Sequence, residues 1–132
     1  MTKIVRGDPP NLRNVRPNIY HHFIRVDNPK TLIFLSGQLS RDLEGKIVGA
    51  GDMAEQTRQV IRNMQTVLEA AGGSLDDIVS IVVYTTDMRE FKRIVEARME
   101  FFKEKLPTST IVEVNHLSEP GLLIEFQAIA AL

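Results

Sequence analysis

The chain contains no cysteine, which excludes disulfides, thiolate nucleophiles and cysteine-held metals. It also lacks an excess of either charge: 16 Lys and Arg stand against 17 Asp and Glu, a net charge of −1. A nucleic-acid partner, whose phosphates are met by clustered cations, is therefore not expected. No run reaches the roughly 18–20 apolar residues of a membrane span. Met1-Thr2-Lys3-Ile4-Val5-Arg6, leading into Gly7-Asp8-Pro9-Pro10, has neither the apolar stretch nor the small-residue cleavage site of a secretory leader. The expectation is a cytoplasmic protein with no membrane partner. Phosphate-loop, dinucleotide, nucleophile-elbow and H-E-x-x-H signatures are missing. Of the three histidines, His21 and His22 are adjacent, and on a strand they would point to opposite faces. They read as a surface pair, and no metal is expected.

What is present is an ordinary globular composition, 43% apolar and 25% charged over 132 residues, which fits one domain spanning residues 1–132. Residues 3–6 suit a short strand, and residues 7–18, rich in proline and asparagine, suit an exposed loop. Two apolar runs, residues 19–26 and 31–35, flank Asp27-Asn28-Pro29-Lys30, which is turn chemistry and predicts a hairpin. Its second strand is expected to end at Ser36-Gly37-Gln38, where the glycine admits another backbone or a ligand.

Asp52 with Glu55 resembles a capping box and opens a helix. Met53, Thr57, Val60, Ile61, Met64, Val67, Leu68 and Ala71 share one face of it, and Gly72-Gly73 stop it. A β-branched strand over residues 78–86 follows. Asp87 with Glu90 then opens a second helix whose inner face carries Phe91, Ile94, Val95, Arg98, Phe101 and Phe102. Residues 110–114 and 122–130 make the last strands, around a turn at Glu119-Pro120-Gly121. One mixed sheet with both helices on one face is the simplest α+β arrangement. The other face then stays open and apolar, which predicts oligomerisation through it.

Chemistry is sparse along this pattern. Glu125 sits in the apolar run Leu122-Leu-Ile-Glu-Phe-Gln-Ala-Ile-Ala-Ala131, where a carboxylate is costly unless it is paired or lies at a cleft. On composition alone it reads as a solvent-facing position on an edge strand. Glu113 has the same ambiguity. Ser36-Gly37-Gln38 offers backbone donors but reads most simply as a turn, and Ser109 and Thr110 as strand-start residues.

Taken in order, the segments resemble the Rid (YjgF) family, also called the L-PSP endoribonuclease family. The phrases are Phe34-Leu-Ser-Gly-Gln38, Gln56-Thr-Arg-Gln59 with Asn63, Leu68-Glu-Ala-Ala-Gly72, Ser74-Leu-Asp-Asp-Ile-Val79, Asp87-Met88, Phe101-Phe102, Val112-Glu-Val114 and Ile124-Glu-Phe-Gln-Ala-Ile-Ala130. They cover roughly residues 19–131. The resemblance implies a chorismate-mutase-like fold and a homotrimer with a central barrel, with small-molecule ligands bound in clefts between subunits. It further implies cofactor-free hydrolysis of enamines or imines to a carbonyl compound and ammonia. RNA cleavage, suggested only by the alternative family name, fits neither the charge nor the histidines.

By the same resemblance Glu125 is the water-positioning, catalytic residue. Tyr20 is a cleft tyrosine, and Ser36 and Gly37 form the backbone site. Ser109 and Ile111 line the cleft where the family has an arginine and a small residue, and Val95 replaces a polar asparagine. A hydroxyl supplies neither the charge nor the fork of a guanidinium. Losing one partner of a desolvated charge pair costs about 2–5 kcal/mol, so the usual imino-acid activity is expected to be weak or absent. Two expectations follow. The protein is a deaminase of altered specificity, acting for example on an aminomuconate-like intermediate, or it is a non-catalytic trimer that binds a metabolite or partner. If another cation replaces the arginine, Arg13, Arg16, Arg25 and His21 near the loop are the candidates.

Overall fold

The structure, a computed structural model, describes residues 1–13 and 19–132. Its strands are β1 (Lys3–Gly7), β2 (Phe23–Asp27), β3 (Leu32–Leu39), β4 (Ile78–Thr85), β5 (Thr108–Glu113) and β6 (Ile124–Ala131). Helix α1 (Met53–Ala70) lies between β3 and β4, and α2 (Phe91–Met99) between β4 and β5. The main sheet has the order β3-β6-β4-β5; β4 and β5 run parallel and the other pairs antiparallel. This is the expected α+β fold, a mixed sheet with two helices. No helix among the described residues is long and apolar enough to cross a membrane.

Helix α1 follows from local chemistry. The Asp52 carboxylate accepts from the Glu55 N–H at 3.0 Å. At the other end Gly72 adopts φ 87°. The Gly73 N–H reaches the Leu68 carbonyl at 2.8 Å and the Gly72 N–H reaches that of Glu69 at 3.2 Å, the two bonds of a Schellman closure. Val60, Ile61, Met64 and Leu68 are fully buried against Ile81, Val83, Ile124 and Phe126 of the sheet. Each such side chain contributes about 1.5–3 kcal/mol by leaving water.

The expected hairpin does not form. β2 pairs with β1 as a separate antiparallel ribbon, Lys3 opposite Asp27, while β3 pairs with β6 from Leu32↔Ala131 to Leu39↔Glu125. The turn between them is real, with Asn28 at φ 52°, where asparagine is tolerated. It redirects the chain from the ribbon into the sheet. The reason is burial. β3 presents Ile33 and Leu35 to the core and needs a central partner, whereas no residue of β2 is buried.

Alternation fixes the two faces of the sheet. Ile33, Leu35, Ile81, Val83, Phe126 and Ala128 point toward the helices and are buried. The opposite face carries Leu32, Phe34, Val82, Tyr84, Gln127 and Ile129, and Phe34 is 71% exposed. This open apolar face matches the sequence pattern.

Candidate active site

Two clusters of candidate side chains form, one on each face of the sheet. The first arises at a β-bulge. The β3–β6 register passes from Leu35↔Ala128 to Gln38↔Phe126, so Ser36 and Gly37 together oppose Gln127 and fall outside the ladder. The Gln38 side chain donates to the Ser36 carbonyl at 3.1 Å, bracing the bulge. Ser36 and Gly37 therefore lie inside β3, and the expectation that the strand ends there is corrected: the extra residue kinks the strand without terminating it.

Glu125 faces this bulge. It is not on an edge strand, as composition suggested, because β6 is flanked by β3 and β4, with Leu39 and Tyr84 opposite Glu125. A carboxylate is accommodated in so central a strand because it lies on the open face, half-buried. It folds back over Gly37: a Cβ built on Gly37 would lie 1.8 Å from Oε2 and 2.6 Å from Cδ of Glu125. The glycine leaves the space the carboxyl group fills. Nearby, Tyr84 donates to the Gln127 side-chain oxygen at 3.3 Å. Gly37 also borders an open groove of about 610 Å³ that includes Gln38, Arg41, Leu43 and Asn63.

The second cluster lies on the helix side. Tyr20, Ile94, Val95, Arg98, Ser109 and Ile111 line a small cavity of about 70 Å³. It brings together Tyr20, Val95, Ser109 and Ile111, all singled out in the sequence. It also holds a functional group that sequence reasoning missed, the guanidinium of Arg98. Arg98 reaches across from α2 and donates through Nη1 to Ser109 Oγ at 2.8 Å and through Nη2 to the Ile19 carbonyl at 2.9 Å. The Phe102 ring centroid lies 5.9 Å from its guanidinium carbon. Burial pulls its pKa down to about 10, so it is cationic at neutral pH.

Of the loop candidates for a replacement cation, Arg13, His21 and Arg25 are not among the residues that line this cavity. Arg25 pairs with Asp27 at 3.1 Å in the open. His21 Nδ1 contacts the Asp8 carboxylate at 2.8 Å, and that carboxylate, which also accepts from the His22 N–H, is held below the usual aspartate range by these bonds. The Arg13 carbonyl is taken by His22 Nε2 at 2.9 Å. Arg16 lies outside the described residues. Glu113, the other carboxylate flagged in sequence, accepts from the Met88 N–H at 2.7 Å and ties β5 to the turn before α2.

Register places the clusters on opposite faces. Ser109 and Ile111 stand opposite Ile81 and Val83, whose side chains enter the core, whereas Glu125 stands opposite Tyr84, the next residue along β4. One copy of the chain cannot direct both clusters at the same molecule.

A small mixed sheet, two helices on one face and paired clusters at its two surfaces can be compared with known proteins. The sequence profile described as Endoribonuclease L-PSP matches residues 14–132. The chain belongs to this family. Among L-PSP relatives, a RutC family protein of Pyrococcus abyssi is 40% identical over 111 residues, 84% of each chain. The 3-aminoacrylate deaminase RutC of Acinetobacter baylyi is 32% identical over 124 residues, 94% of this chain and 91% of that one. A solved structure of the Rid protein YyfB from Yersinia pestis, of unknown function, superposes with a TM-score of 0.89 at 26% identity, covering 98% of both chains. The family's general small-molecule or deaminase role is thereby supported for this L-PSP member.

Proposed function

We propose that the chain is a cofactor-independent deaminase that hydrolyses an enamine or imine of non-standard structure to a carbonyl compound and ammonia, in clefts between the subunits of a homotrimer. The observation that carries this reading is the Glu125 carboxylate held over Gly37 at the bulge, beside backbone groups released from the ladder. A carboxylate so placed accepts a hydrogen bond from water and takes its proton as the oxygen attacks the imine carbon. The C=N π pair moves to nitrogen, which is protonated. The tetrahedral adduct then collapses to C=O and expels ammonia. One water is consumed and no electron acceptor is needed. The deaminase named among the relatives supports the same chemistry.

The trimer enters because the clusters face apart within one copy, and because the open face carries Leu32, Phe34 and Ile129, apolar residues that a partner would cover. Light scattering is expected to give a mass of three chains. Phe34→Asp, which adds a charge at a position 71% exposed in one chain, is expected to leave the fold intact and release monomers that no longer release ammonia.

The test of the reaction is ammonia release from freshly generated substrates, 2-aminoacrylate-derived imines against 2-aminomuconate, by wild type and Glu125→Ala. Release above the uncatalysed rate that disappears in the variant supports the deaminase. No acceleration with any enamine or imine favours the second reading, a non-catalytic binding trimer, which is motivated by Ser109 standing where a family arginine is expected. A ligand would then raise the melting temperature and be recovered unchanged.

A further inference from the structure

Arg98 is 4% exposed. Arginine is almost never so buried without a carboxylate, because an uncompensated charge in the interior is costly. Both its described hydrogen-bond partners are neutral, Ser109 Oγ and the Ile19 carbonyl. Its Nε is buried and has no partner among the described residues. A guanidinium has five N–H donors, so three are uncommitted among the described residues. The acids around α2 are engaged elsewhere: Glu90 with Arg93, Glu96 with Lys92 and Glu100 with Arg58. The segment outside the described residues, Asn14-Val-Arg-Pro-Asn18, contains no acid and adds a further cation.

We infer that Arg98 is the anchor for the carboxylate of a small anionic ligand, which enters the cavity bounded by Tyr20, Val95, Ser109 and Ile111. The guanidinium reaches the cavity from the helix, and Ser109 on β5 holds it in place. Shape limits the ligand. A cavity of about 150 Å³ holds a benzene ring, so about 70 Å³ holds roughly half of that, a carboxylate and one or two carbons. The ligand is a short monocarboxylate, or a longer acid that inserts only its carboxylate end. The apolar walls of Ile94, Val95 and Ile111 exclude water, which strengthens the charge-assisted pair. The lowered pKa of Arg98 reflects the desolvation that an incoming anion would offset.

The inference rests on the deaminase reading for the ligand being a substrate. Its test is binding alone, so an inactive protein that binds the probe would sink the deaminase and keep the anchor. The full wild-type chain is titrated with acetate, pyruvate and the neutral isostere acetamide, while the arginine side-chain Nε–H resonances are followed by NMR; Arg98→Lys assigns the peak. Acetate or pyruvate, and not acetamide, is expected to move the Arg98 Nε–H. Arg98→Met is expected to weaken the binding about 30-fold or more, and Ser109→Ala to retain most of it. An Nε–H unmoved at about 100 mM acid, well above a millimolar Kd, overturns the anchor. So does an equal response to acetamide. The wild-type titration decides the matter even if Arg98→Met does not fold.

Discussion

Glu125→Ala is expected to lower ammonia release by about 100- to 10 000-fold, the range for loss of a positioned general base, and Gly37→Ala to approach that loss with the carboxylate still present. The Cβ of alanine at position 37 would sit 1.8 Å from Oε2, so one of the two groups must move. Gly37 is not in the left-handed region, so alanine meets no backbone strain there. The end of a half-buried glutamate on an open sheet face yields more readily than a β-ladder, so the fold survives and the carboxylate swings off the bulge. A misplacement of about 1 Å in a reacting geometry costs about 100-fold. Glu125→Gln separates the two effects, because it keeps the shape and most contacts and removes only the basicity. The check is kcat/KM for all three variants beside their melting temperatures. The expected result is kinetic loss with melting within a few degrees of wild type. Wild-type turnover in Gly37→Ala would show that the contact between Glu125 and the bulge does not organise the reaction.

That same contact shows how far a sequence can be read. Helix α1 was legible because its cap, its buried stripe and its stop are all local: Asp52 and Glu55 lie three residues apart, and Gly72-Gly73 serve a closure within one turn. Gly37 was legible as a place of close approach, but not what approaches it, since Glu125 comes from a strand 88 residues later in the chain. The bulge was illegible because it exists only relative to the register of β6. The rank of β6 in the sheet was illegible for the same reason, which is why an edge position for Glu125 was a reasonable and mistaken inference from its charge. The pairing of β2 failed differently. The turn residues were right, but turn chemistry says only that the chain reverses, and β3 gains more burial beside β6. Arg98 is the instructive miss. It already stood in the apolar stripe with Ile94, Val95 and Phe102, and a guanidinium at a core-facing position is itself the signal of a cavity or a buried network. The loop cations were candidates through their place near the loop, whereas a long side chain on a packed helix spans the distance to Ser109 from a different part of the chain.

Gln56→Leu is expected to destabilise the protein by about 2–4 kcal/mol, from three part-buried backbone groups losing a hydrogen bond worth about 0.5–1.5 kcal/mol each, offset in part by the apolar gain. Gln56 is fully buried. Its Nε2 donates to the carbonyls of Gly49 at 3.1 Å and Gly121 at 2.9 Å, and its Oε1 accepts from the Leu123 N–H at 2.9 Å. One amide thus joins α1 to the connection before it and to the turn that launches β6. No apolar side chain of similar volume can replace those bonds. Gln56→Glu is expected to be as damaging or worse, because an ionised carboxylate only accepts, and two of the three partners are carbonyls. A fall in the urea midpoint with an unchanged slope, and a drop in melting temperature of about 10 °C or more, would be the measured signs; a shift of only a degree or two would mean that water replaces the amide. The site feels the same change. Leu123 is two residues before Glu125, and its carbonyl also accepts from Thr85 at 3.2 Å, so the Gln56 amide and the β4 hydroxyl hold that residue from two sides. With the amide gone, the start of β6 loosens first, and ammonia release should fall at temperatures where most of the core is still folded.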